Sequence, residues 1–137
     1  MSTRSNIAMV HEDGKVESIY CHWDGYPSHN GKILLGHYQD KEKVKQLLAL
    51  GSLSFLSEEI GEKHDFDEAN KEHPDWCCAY GRDRGETDVE SRMTDSVEEY
   101  LQEDTEEYTY VFFDGVWMFR EYDNRDLHKL TLKACKD

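Results

Sequence analysis

Apolar positions crowd two short runs near the start, Asn6–His11 and Val16–Trp23, with Asp13-Gly14 between them. Asp-Gly between two such runs predicts a β-hairpin. A two-residue turn would set Ile7 opposite Tyr20 and Ser5 opposite His22. Both faces of the ribbon then carry apolar residues, which suits strands covered on both sides. After Asp24-Gly25-Tyr26-Pro27 the period changes. Ser28–Tyr38 reads as a helix with Ile33, Leu34, His37 and Tyr38 on one stripe and Ser28 as N-cap. Asp40 is placed to cap a second helix, Lys41–Leu50, with Val44, Leu47 and Leu48 inward and Gly51 as the stop.

The second half repeats the hairpin signal more clearly. Tyr108–Phe113 and Val116–Tyr122 flank Asp114-Gly115. Tyr108, Tyr110, Phe112, Trp117 and Phe119 fall on one face, and Val111, Phe113, Val116 and Met118 on the other. That ribbon is expected at the centre of a sheet. Between the two halves, Ser52–Ile60 is ambiguous, His64–Asp75 reads as loop and Trp76–Tyr80 as strand. Gly81–Asp88 reads as loop, Thr94–Gln102 as a short helix capped by Thr94 or Asp95, and Leu127–Ala134 as a last strand. The fold class expected is α+β: an antiparallel sheet of about five strands with two or three helices packed on one face. The whole chain, 1–137, is read as a single domain.

Composition sharpens this picture. A chain of 137 residues with 37% hydrophobic and 12% aromatic residues can fill a core without disulfide staples. The aromatics lie in periodic runs, which argues against a disordered chain. No apolar stretch follows Met1–Ser5 as a signal peptide would require, and none is long enough to span a bilayer, so a cytoplasmic, reduced setting is expected. The formal charge is −14. Ser57 to Glu107 holds 19 acidic residues against 5 basic, a net charge equal to that of the whole chain. Such a balance disfavours direct binding to nucleic acid or to anionic membranes and favours basic partners.

Two constellations carry candidate chemistry. The first is Tyr20-Cys21-His22-Trp23-Asp24-Gly25-Tyr26-Pro27, at a strand end where binding residues often sit. Trp23 and Tyr26 offer stacking surfaces, and His22 and Asp24 can read hydroxyls or exchange protons. The structural alternative has Trp23 in the core, Asp24-Gly25 as a turn and His22 hydrogen-bonded in the sheet. The second is Tyr80-Gly81-Arg82-Asp83-Arg84-Gly85-Glu86, whose arginines can hold phosphate or carboxylate. Its alternative is a surface turn whose arginines pair with neighbouring acids. Cys21, His22, His73, Cys77 and Cys78 match no standard zinc spacing, so no metal or other cofactor is expected. No phosphate-binding glycine-loop motif is present, and the many carboxylates form pairs by abundance alone.

These segments, with Ser2–Ala8, Gly31–Leu35, His37-Tyr38, Glu107-Tyr108 and Trp117, resemble a family of small accessory proteins of phages and prophages. The resemblance implies a setting rather than a chemistry: counter-defence in the cytoplasm of an infected or lysogenic bacterium, by sequestering a nucleotide signal or by imitating DNA. The leading expectation is therefore a binding protein that captures a small anionic, nucleotide-like ligand. Arg82 and Arg84 would hold phosphate beside Glu86, Trp23 or Tyr26 would stack, and His22 and Asp24 would read hydroxyls. The alternative is an acidic inhibitor or DNA mimic that blocks a basic groove of a host nuclease or CRISPR effector. A nucleotide-acting enzyme using His22 and Asp24 as an acid–base pair is the third reading. A homo-oligomer is left open.

Overall fold

The computed structural model describes residues 3–68, 71, 73–121 and 126–136. Ser2 and Tyr122, which entered the readings above, lie outside them. The strands are β1 (Ser5–Val10), β2 (Val16–Cys21), β3 (Leu53–Phe55), β4 (Cys78–Ala79), β5 (Arg92–Thr94), β6 (Tyr108–Phe113), β7 (Val116–Glu121) and β8 (His128–Lys129). The α-helices are α1 (Lys32–His37), α2 (Lys41–Ala49), α3 (Tyr80–Arg84) and α4 (Val97–Glu103). The chain is thus a mixed α and β structure. Among the described residues the sheet, however, has eight strands in the order β4-β3-β2-β1-β6-β7-β8, with β5 also paired to β2. It is not the expected five-stranded antiparallel sheet: β1 runs parallel to β6, and β2 runs parallel to β3.

The first hairpin forms with a register one residue away from the expected one. Asn6 faces Tyr20, Ile7 faces Ile19 and Ser5 faces Cys21. The turn is longer than Asp13-Gly14 alone. His11 N donates to Lys15 O at 2.8 Å, so Glu12-Asp13-Gly14 form a three-residue loop, with Gly14 left-handed at φ 89°. A left-handed glycine closing a three-residue loop is a standard alternative to the two-residue turn. The extra residue shifts every pair by one. The second hairpin keeps the two-residue turn, with Asp114 and Gly115 both at positive φ. Phe112 then faces Trp117 and Tyr110 faces Phe119, as the alternation requires.

Helices cover both faces of the sheet, not one. On the first face Leu34, Tyr38, Val44, Leu47 and Leu48 pack with Ile7, Met9, Ile19, Tyr110, Phe112, Trp117 and Phe119. On the second, Tyr100, Val97 and Leu101 of α4 pack with Ala8, Val16 and Val111. Phe113 and Val116, beside the second turn, remain exposed. Asp40 caps α2 by accepting from Glu42 N at 3.1 Å. Ser96, rather than Thr94 or Asp95, caps α4 through Glu99 N, because Thr94 is already in β5. Pro27–Gly31 form a π-helical turn ahead of α1, with no side-chain cap from Ser28. Gly81–Arg84, expected as loop, belong to α3, which Gly85 ends in the left-handed conformation. The last strand contracts to His128–Lys129. No helix among the described residues is long and apolar enough to cross a membrane.

Candidate functional site

The Trp23–Pro27 turn is built by close backbone contacts. Beyond β2 the chain keeps pairing beside β3, with His22 N on Leu53 O and Trp23 N on Ser54 O, each at 3.0 Å. Asp24 then takes a left-handed conformation at φ 57°, and Gly25 N reaches Thr3 O at 2.8 Å. A Cβ at Gly25 would stand 2.8 Å from Ser5 Cβ and 2.9 Å from Thr3 O, so only glycine fits. Behind the turn the buried Asn30 amide donates to Ser5 Oγ at 3.3 Å and to Cys21 Sγ at 3.4 Å. Burial pushes the Cys21 thiol up to about 12. Much of this motif is therefore architecture.

What the turn leaves outside is aromatic. Trp23 is 41% exposed and Tyr26 is 36% exposed. Tyr26 OH donates to Asp24 Oδ1 at 3.0 Å, and this bond to a carboxylate raises the phenol's pKa. His22 takes a different partner: its Nδ1 lies 2.6 Å from Tyr20 OH, and its ring meets Trp23 edge-on at 4.8 Å.

The second motif divides between structure and surface. Arg82 lies inside the fold, not on an open anion site. Its Nε donates to Asp83 Oδ1 at 2.9 Å, Nη1 to Ile60 O at 2.8 Å, and Nη2 to Cys77 O at 2.9 Å and Asp83 Oδ2 at 3.2 Å. A guanidinium has five N–H donors, so this one is largely committed. Asp83, buried, also accepts from Ala79 N at 2.8 Å and His64 N at 3.1 Å. Those four bonds leave little of the Arg82 guanidinium for the ligand phosphate expected there. Arg84 points outward. Its guanidinium lies over Phe66 at 4.6 Å and Tyr80 at 5.0 Å, and its Nε donates to Glu86 Oε2 at 2.6 Å.

Phe66 joins the two motifs. Its ring lines a groove of about 510 Å³ together with Trp23, Asp24, Ser54, Ser57 and Cys78. The same ring carries the Arg84 guanidinium. Trp23, Asp24 and Arg84 are thereby brought to one region. Tyr26 reaches it through Asp24, Glu86 through Arg84, and His22 through its ring contact with Trp23. The sequence reading missed Phe66, although an aromatic residue alone in the polar stretch 61–75 was a usable signal. It also missed Ser54 and Ser57, for which no signal existed. No family model matches this chain, and no match is found among curated proteins or among solved structures.

Proposed function

We propose that this chain is a binding module that captures a planar, anionic, nucleotide-like ligand in the Trp23–Phe66 groove. The observation that carries this reading is the double use of Phe66, as a wall of the groove that the exposed Trp23 also lines and as the platform for Arg84. A base stacks on Trp23, a phosphate exchanges with Glu86 for the Arg84 fork, and Asp24 with Ser54 and Ser57 reads hydroxyl or amino groups. Stacking on one aromatic contributes about 1–3 kcal/mol, so the cation is needed for useful affinity. The phage counter-defence setting implied by the sequence motifs fits such a sponge-like role. The test is calorimetry and tryptophan fluorescence with nucleoside monophosphates and cyclic dinucleotides as probes. Binding is expected to weaken at least about fivefold in both Trp23→Ala and Arg84→Ala, the lower end of the stacking range. Affinity unchanged in both variants, or no heat with any probe, overturns the reading.

A second reading has its own observation. Asp95, Glu99 and Glu103 are all exposed and recur at every fourth position along α4 and its entry. Within the helix, Glu99 and Glu103 stand about 5–6 Å apart on one face, with Asp95 just ahead of the cap, and such exposed carboxylates suit a basic nucleic-acid-binding groove. Capture of such a protein would weaken steeply with salt and would fail in the triple Asp95→Asn, Glu99→Gln, Glu103→Gln variant.

A further inference from the structure

Residues 60–66 lie against α3 and bring His64 beside the Arg82–Asp83 pair. The His64 side chain is 4% exposed. Its Nδ1 donates to Glu62 O at 2.8 Å and lies 3.5 Å from Asp83 Oδ1. In the neutral imidazole this bond leaves the lone pair on Nε2. Nε2 is buried and has no hydrogen-bond partner among the described residues. A buried polar atom left unpaired is costly and calls for a partner.

Cys78 and Asp83 lie beside it. His64, Cys78 and Asp83 each offer a ligand atom within 4.8 Å of those of the other two. Imidazole, thiolate and carboxylate are the three protein ligand types of zinc. The surroundings also match. A metal-binding histidine almost always donates its other N–H to a carbonyl or carboxylate, and with Nε2 as the ligand atom Nδ1 would keep such a bond, to Glu62 O. Ligating carboxylates are themselves held by hydrogen bonds, as Asp83 is by Ala79 N, His64 N and Arg82.

We propose that His64, Cys78 and Asp83 form a binding site for a thiolate-accepting divalent metal ion of the zinc type, with a fourth position left to water or to a ligand in the groove that Cys78 also lines. The charges of thiolate and carboxylate match the two charges of the ion. Binding breaks the Cys78 S–H bond, forms the S–metal bond and releases the proton to solvent. Zinc bonds of about 2.0–2.3 Å hold ligand atoms about 3.3–3.8 Å apart, so the three groups close by roughly 1 Å around the ion. Asp83 gives up one of its hydrogen bonds in exchange for the metal. The thiol must lose its proton to bind, so affinity for the ion rises with pH. The ion would also supply positive charge that an acidic chain lacks for anion capture, but its own binding needs no nucleotide.

The test uses the full chain, stripped with a chelator and titrated with Zn²⁺ and with Co²⁺ as a spectroscopic probe. One equivalent of Zn²⁺ is expected, raising the melting temperature. Co²⁺ is expected to give thiolate-to-metal charge-transfer and tetrahedral ligand-field absorption. Cys78→Ser and His64→Gln should each weaken Zn²⁺ binding more than about tenfold, whereas Cys135→Ser should not. Melting without metal checks that each variant folds; if Cys78→Ser does not, His64→Gln decides. Absence of the cobalt–thiolate band in the folded wild-type chain overturns the proposal. So does Zn²⁺ affinity unchanged in His64→Gln, which would put the ion elsewhere.

Discussion

The hydroxyl of Tyr110, in the middle of β6, donates to the carbonyl oxygen of Gly25 at 2.7 Å. The residues are 85 positions apart, and the bond ties the centre of the sheet to the turn that presents Trp23. Removing the hydroxyl leaves the Gly25 carbonyl without this donor. Tyr110→Phe should therefore destabilise the chain by about 1–3 kcal/mol. Hydrogen exchange should rise at Gly25, whose amide bonds Thr3 O. Unchanged exchange there would mean that the turn is held without Tyr110.

Trp117 tests the core. It is 3% exposed, packs on Phe112 and donates from Nε1 to Tyr38 O at 2.8 Å. Trp117→Ala should cost about 3–5 kcal/mol in denaturant unfolding. A loss below about 1 kcal/mol, the range of exposed sites, would contradict a buried β6–β7 ribbon.

The two arginines of the second motif should separate cleanly. Arg82→Ala leaves buried Asp83 without its cation and the Ile60 and Cys77 carbonyls without this donor, and should cost roughly 3 kcal/mol. Arg84 is half-exposed and pairs with Glu86 near the surface, so Arg84→Ala should cost less than about 1 kcal/mol. Melting curves of the two variants decide this. Equal losses would refute the division of labour.

Cys21 predicts an alkaline slope. Its folded pKa is raised by burial from 9.0 to about 12, so the folded chain keeps a proton that the unfolded chain releases. Its contribution is full below about pH 9 and is lost as pH rises toward about 12, at up to about 1.4 kcal/mol per unit. Cys21→Ala removes this one group, so its stability should fall less steeply over that window. Parallel urea-unfolding curves for the two proteins across the window would show that the thiol is not buried as described.

Elements whose signals are local could be read from the chain. The period of Lys41–Ala49 with Asp40 ahead of it was enough for a capped helix, because capping and amphipathicity involve neighbours only. The Asp114-Gly115 turn and its flanking alternation were enough for the register of β6 and β7, since a two-residue turn leaves one pairing. The same logic failed at Asp13-Gly14, where one extra loop residue moved every partner. Tertiary structure alone decided the parallel pairing of β1 with β6, because nothing local distinguishes a strand's second neighbour. It also decided the fate of the charged motif. Arg82 and Arg84 look alike in the chain, yet one meets the carbonyls of Ile60 and Cys77 while the other meets the ring of Phe66. His64, Cys78 and Asp83 follow the same rule: no spacing announces them, and only the packing of residues 60–66 against α3 brings their donor atoms together.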